Sequence, residues 1–353
     1  MVSEEIPELH FGIMTSGMLL SLFMVGVLGI GLRPAKPRGL VTYFVGNPID
    51  SQQVPVGGPA VILMGGGSEV DSAFQKQVYP VVNGGDIVVL RRDERDGYQD
   101  YLFNMSVPAH LKPNSVETLV VKTRDHANSA YVDYVVSRAE LVFMAGGDQV
   151  GYLENWKNTA LNQAILKAYG RGAVVGGLSA GCAVMGEFIY DPENEEGVVT
   201  SDAVADPYNP EIEIAPSFLD LPLMSRVITD THFYQRDRMG RLVAFIARLE
   251  QDKQVQKING MGLDEETSMF ITSDGIGRVL GKGSVYVIRS DAASTRKQVV
   301  PGEPLIYSNL KETRLSSGSL YHISSGITHG GRTQRISVDG TDPSNPYGDS
   351  YPY

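Results

Sequence analysis

One cysteine in 353 residues removes two classes of scaffold at once. A single thiol closes no internal disulfide and cannot build a Cys-rich zinc site, and it suits an oxidising compartment as well as a reducing one. Positive charge is also scarce, with 30 Lys and Arg against 41 Asp and Glu and a formal net charge of −11. Such a chain lacks the electrostatic footprint of a nucleic-acid binder, so no nucleic-acid partner is expected. Metal-ligand spacings and internal repeats are missing too, and neither a metal nor a cofactor is expected. What is present is 42% hydrophobic and 20% charged. That composition builds an ordinary core and excludes wholesale disorder. At about 150 residues per domain, the length allows one large domain or two ordinary ones.

Charge is absent altogether from Gly12 to Leu32, a run of 21 residues. As a helix this run would span about 30 Å, the thickness of a bilayer core. It reads as a signal sequence or a membrane anchor, which predicts a secreted, periplasmic or membrane-anchored protein. Glu4, Glu5 and Glu8 precede the run while Arg33, Lys36 and Arg38 follow it. This is the reverse of the charge bias usual for an exported domain, so cleavage and anchoring both stay open. Pro34 and Pro37 prevent the helix from continuing, which makes 1–38 a leader with its linker.

From 39 to about 290 apolar runs alternate with helical stretches. Ala60–Met64, Asp86–Leu90, Thr118–Val121, Leu141–Ala145 and Ala173–Gly176 are rich in valine and show no polar alternation. Runs of that kind suit strands buried on both faces. Helical candidates lie around 127–136 and 152–169. The alternation predicts an α/β fold, a parallel sheet flanked by helices on both faces, with ligands gathered at the carboxyl ends of its strands. Gly65-Gly66-Gly67 resembles a phosphate loop, but Val70 occupies the third glycine position and a plain strand-to-helix turn is expected. Residues 291–353 change to short β-like pieces punctuated by Gly, Ser and Pro. They predict a small β-rich appendage ending in a flexible tail.

Two of the strand ends carry motifs. Leu141–Ala145 leads into Gly146-Gly147-Asp148-Gln149, and Ala173–Gly176 leads into Gly177-Leu178-Ser179-Ala180-Gly181. The second is G-x-S-x-G between a strand and a helix, the nucleophile elbow. Ser179 is the candidate nucleophile, and the Ala180 N–H at the helix start is placed for a developing oxyanion. Of six histidines, His232 alone follows a strand-like run (Val227-Ile228-Thr229) in a position of the same type as Ser179, which makes it the candidate base. The acid that orients it is Asp264 or Glu265, behind the run Ile258–Leu263; periodicity does not choose between them. The order Ser, His, acid is not the Ser, acid, His order of α/β-hydrolases. Arg236, Arg238 and Arg241 crowd the histidine. Together with Asp230 they form a patch suited to a substrate carboxylate.

These motifs, in this order, resemble the cyanophycinase-like branch of the S51 serine peptidases over roughly residues 58–290. Their fold is similar to class I glutamine amidotransferases. The resemblance implies a Ser179, His232 and Glu265 triad, with oxyanion N–H groups from Gly147 and Ala180. It also implies a substrate pocket lined by Gln149, Asp230, Arg236, Arg238 and Arg241. The implied activity is hydrolysis of peptide or isopeptide bonds in acidic substrates, on a peptide or cyanophycin-like partner. Membrane anchoring through 12–32 and a homodimer are both compatible with it. Thr231 stands where the cyanophycin-degrading members carry Gln, Leu178 where Thr is common, and Cys182 where Ala is common. Two alternatives remain at this stage: a serine hydrolase of a non-peptide amide or ester, and a non-catalytic binding protein on the same scaffold.

Overall fold

The computed structural model describes residues 32–192 and 197–353, and within it residues 33–353 form one compact unit. Apart from Leu32, the apolar segment expected to direct export lies outside the described residues. Among the described residues no helix is long and apolar enough to cross a membrane.

The first half of the chain supplies strands Val41–Gly46 (β1), Ala60–Met64 (β2), Asp86–Arg91 (β3), Ser115–Val120 (β4), Leu141–Met144 (β5) and Val174–Leu178 (β6). Of these, β4, β3, β5, β6 and β2 pair side by side in parallel, as their unbroken apolar runs require. Every residue of β2, β5 and β6 is buried. The helices Ala130–Arg138 and Ala160–Gly170 pack their apolar sides onto one face of this sheet. A single helix over 152–169 does not form. Asn158 takes a left-handed φ of 58°, and Thr159 restarts the chain by accepting the Asn162 N–H. The result is two helices, Gln149–Trp156 and Ala160–Gly170.

The second half contributes Phe188–Tyr190 (β7), Ile214–Pro216 (β8), Val227–Asp230 (β9), Asn259–Leu263 (β10), Thr267–Ile271 (β11), Ile276–Gly281 (β12), Ser284–Arg289 (β13), Thr295–Gln298 (β14), Ile306–Ser316 (β15), Leu320–His322 (β16), Thr328–His329 (β17) and Arg332–Asp339 (β18). Strands β11, β12, β16 and β17 extend the first sheet beyond β2, antiparallel to their neighbours. The others build a second sheet in which β7, β9 and β10 run parallel and β13, β15 and β18 antiparallel. The strands of 291–353 are thus continuous with these two sheets through β13 and β12.

The chain end is held as well. The Tyr353 ring lies edge-on to Phe233 and Tyr286, and its hydroxyl donates to Asp237 while accepting the Met239 N–H.

This arrangement positions the site. Strand β6 ends at Leu178 in the first sheet and β9 ends at Asp230 in the second. The turn 264–266 carries the chain from β10 of the second sheet to β11 of the first. Three strand ends converge where the two sheets meet.

Candidate active site

At the end of β6 the backbone of Ser179 adopts φ 52° and ψ −115°. For a residue with a Cβ that conformation costs on the order of 1–3 kcal/mol and persists only where surrounding structure dictates it. Here it is dictated from both sides. The Ser179 N–H continues the β6–β2 ladder by donating to the Met64 carbonyl at 3.0 Å, and the Ser179 carbonyl accepts from Cys182 and Ala183 as the helix Ala180–Ala183 begins. Any Cβ at Gly181 would lie 2.1 Å from the Met144 carbonyl oxygen, so only glycine lets the helix start this close to β5. The Thr229 hydroxyl in β9 binds the Cys182 and Ala183 carbonyls and ties the helix to the second sheet. Cys182 itself is fully buried, and burial pushes its thiol pKa up.

The strained turn aims the Ser179 Oγ at His232, whose Nε2 is 2.7 Å away. The His232 Nδ1 lies 2.6 Å from Glu265 Oε1. Gly65-Gly66-Gly67, behind β2, forms the floor under this pair. The His232 N–H donates to the Gly65 carbonyl at 2.8 Å and the Glu266 N–H to that of Gly66 at 2.9 Å. Gly66 sits at φ 123° with the imidazole directly against it, where a Cβ would be 2.3 Å from the ring. The glycine triplet is therefore a seat for the imidazole. Burial lowers the His232 pKa below 6.5; the hydrogen bond to Glu265 raises it and the charges of Arg236 and Arg238 lower it further. The ring is therefore neutral at pH 7 and free to accept a proton.

The two adjacent carboxylates of the 264–266 turn point apart. Asp264 accepts the Tyr234 N–H at 3.0 Å and the Ser284 N–H at 2.8 Å, joining the histidine loop to β13. Glu265 faces the imidazole.

At the end of β5, Asp148 caps the helix Gln149–Trp156 by accepting from Val150 and Gly151. The cap fixes the Gly146-Gly147 turn, with Gly147 exposed and the Gly146 Cα close to Ser179. Ala180 opens its helix, so its N–H has no intrahelical acceptor.

The expected substrate pocket is arranged differently. Arg241 grips Asp230 through two hydrogen bonds, at 2.8 and 2.6 Å, and also donates to the Val198 carbonyl. Arg238 donates to the Thr231 carbonyl at 2.7 Å and to Asp230 at 3.3 Å. Gln149 joins the same network through the Tyr190 carbonyl, and the Tyr190 hydroxyl takes the Val198 N–H. Burial works to raise the Asp230 pKa, but the two guanidinium charges prevail and hold it below 3.8. Asp230 and Arg241 are only 4% exposed, so their charges are matched to each other beneath the loop that carries His232. Of the three arginines, Arg236 is exposed, Arg238 is partly buried and Arg241 is buried.

The open space beside Ser179 lies on the other side. A cleft of about 550 Å³ has Ser179, His232, Gly146 and Leu178 at its base, and its walls come from Gly67–Glu69 and the segment Arg91–Tyr101. Among the described residues, none of Gln149, Asp230, Arg236, Arg238 and Arg241 lines it. The sequence signal for these walls was available: both segments follow strand ends, β2 and β3. It was hidden because neither contains a familiar motif.

The chain is also similar to known proteins. The profile of Peptidase family S51 matches residues 102–279, just over half of the chain. A cyanophycinase from Nostoc sp. is 30% identical over 211 residues, covering 59% of this chain and 65% of that protein. A cyanophycinase from Geminocystis herdmanii is 29% identical over 208 residues, 58% of this chain and 70% of that one. The match thus spans slightly under two thirds of the Nostoc protein's length. Among solved structures, a peptidase from an acI-B1 Actinobacterium shares the fold with a TM-score of 0.50 at 16% identity, covering 75% of this chain and 97% of that one. The chain belongs to peptidase family S51.

Proposed function

We propose that the chain is a serine-type peptidase that cleaves peptide or isopeptide bonds in acidic, cyanophycin-like substrates. The observation that carries this reading is the continuous relay from Ser179 Oγ through the His232 imidazole to Glu265, at 2.7 and 2.6 Å. In the first step His232 Nε2 takes the Ser179 proton as Oγ attacks the scissile carbonyl. Glu265 accepts the Nδ1–H, which fixes the tautomer and stabilises the imidazolium that forms. The oxyanion is met by the N–H groups of Ala180 and Gly147. Collapse of the tetrahedral intermediate transfers the proton from His232 to the leaving amine and leaves an acyl group on Ser179. A water molecule, deprotonated by His232, then attacks the acyl carbonyl and restores the serine.

Acidic substrates are favoured by Arg236, the exposed arginine of the block, whose charge also acts on His232. The cyanophycinase relatives support the same substrate class. The test is incubation of the purified protein with cyanophycin and with α- and β-aspartyl peptides, with products identified by mass spectrometry. Release of aspartyl-arginine dipeptides by the native protein and none by Ser179→Ala is expected. Undiminished release by Ser179→Ala, or no cleavage of any of these substrates, would overturn the reading.

A further inference from the structure

The cleft beside Ser179 holds charges of both signs, and their bonding separates them. Arg91 is 5% exposed and engaged twice, donating to Asp93 at 2.7 Å and to the Arg95 carbonyl at 2.7 Å. Arg95 also pairs with Asp93, at 2.9 Å. Asp93 thereby answers both guanidinium groups that line the cleft. Asp96, also on the cleft, is exposed to solvent and accepts from the Gly97 N–H and the Gln99 amide. Glu69 on the facing wall is different. Its carboxylate is half-buried and accepts a short hydrogen bond from the Tyr98 hydroxyl, and among the described residues no cation stands within ion-pair distance of it. The phenol is a neutral donor, and its pKa is pushed up first by burial and then by the Glu69 charge. An ionised carboxylate can accept about four hydrogen bonds, and Tyr98 fills one of them.

Tyr98 is itself fixed, with its ring tilted against Phe143 of β5 at 6.1 Å and under the Arg91 guanidinium at 5.6 Å. The Glu69 carboxylate is therefore aimed by a rigid partner, within the same cleft whose base is Ser179 and His232.

We propose that Glu69 is a specificity-determining residue of this cleft and binds a cationic group of the substrate, a guanidinium or an ammonium, next to the bond presented to Ser179. This inference rests on the reading of the cleft as the substrate site. A fixed carboxylate that accepts from a neutral phenol, with no cation near it among the described residues, keeps acceptor positions for a cation. A guanidinium supplies the planar pair of donors that its free oxygen positions accept. Neutral side chains of the same shape would leave the carboxylate partly dehydrated and unpaired, so the discrimination comes from both the gain and the penalty.

The experiment measures binding, so that it does not depend on turnover. The Ser179→Ala protein is titrated by calorimetry with β-aspartyl-arginine and with β-aspartyl-citrulline, in which a neutral urea replaces the guanidinium at equal size. The arginine dipeptide is expected to bind roughly 10- to 100-fold tighter, as loss of a charge-assisted hydrogen bond implies. Adding Glu69→Gln should bring the two affinities to within about threefold of each other, mainly by weakening the arginine dipeptide. Glu69→Asp keeps the charge with a shorter reach and should give an intermediate ratio, which serves as the readout if the glutamine variant does not fold. A parent protein without preference for arginine, or a preference that survives Glu69→Gln, would overturn the assignment. Hydrolysis of cyanophycin and of the longer α- and β-aspartyl peptides by the native protein is followed in parallel. Glu69-dependent binding without any hydrolysis would refute the peptidase reading and leave the Glu69 site standing.

Discussion

Arg238 and Arg241 sit behind His232 and close on Asp230, whereas Glu69 stands on the wall of the cleft in front of it. The same contrast recurs between two neighbours in one turn: Asp264 is engaged by the backbone N–H groups of Tyr234 and Ser284, while Glu265 is presented to the imidazole. In each case one charged group is bonded inward and holds a loop, and the other is left for chemistry or recognition. The difference is one of bonding. A buried charge with its partners complete has nothing to offer a substrate, however suggestive its residue type.

The contrast can be broken by substitution. The largest expected effect is at the turn. Glu265→Gln should lower kcat by about 10⁴-fold with the fold intact, because the glutamine amide cannot hold the imidazole in the same tautomer or stabilise its protonated form. Asp264→Asn should instead lower stability by about 1.5–3 kcal/mol, through two weakened backbone hydrogen bonds, and affect kcat far less. Kinetics and urea unfolding of both variants check the pair, and the opposite ranking would make Asp264 the functional acid.

The next effect concerns the block beneath the loop. Asp230→Ala leaves the buried Arg241 and the partly buried Arg238 without their carboxylate, and a loss of about 3–5 kcal/mol of stability is expected. Denaturant unfolding should show it, with activity on acidic and neutral peptides falling together in whatever fraction stays folded. A selective loss on acidic substrates in a protein of unchanged stability would return the block to substrate recognition.

The smallest effect is on pH dependence. His232 must be neutral to accept the serine proton, and its pKa is held below 6.5 chiefly by burial. The acid limb of kcat/KM should therefore have its midpoint below 6.5. Stability moves in the same direction. As the pH falls through 6.5 the unfolded chain takes up the proton first, so the folded state loses stability below that value and keeps it above. A pH–rate profile with its acid midpoint above 6.5 would contradict the burial argument.

Much of this was legible in the sequence. The valine-rich runs announced the parallel strands because burial on both faces suppresses polar alternation. The G-x-S-x-G spacing announced the elbow because its second glycine must pass within contact of Met144. The second sheet was not legible, since β7, β9 and β10 are brought together by long-range pairing that no local pattern encodes. Gly65-Gly66-Gly67 read as a bare turn, because its reason is the imidazole of a residue more than 160 positions away. The arginine block stands out by composition, whereas its closure on Asp230 is a tertiary contact. The packed end of the chain was hidden for the same reason: Tyr353 finds Phe233, Asp237 and Met239 through tertiary contact, where composition suggested flexibility.

The central claim is that Ser179 is the reacting nucleophile, activated through His232 and Glu265. The most direct measurement is treatment of the native protein with a fluorophosphonate, followed by peptide mass mapping of the adduct. The account predicts a single adduct on the peptide containing Ser179, absent in Ser179→Ala and formed far more slowly in Glu265→Gln. An adduct on another residue, or an unlabelled Ser179 in a preparation that hydrolyses peptides, would contradict it.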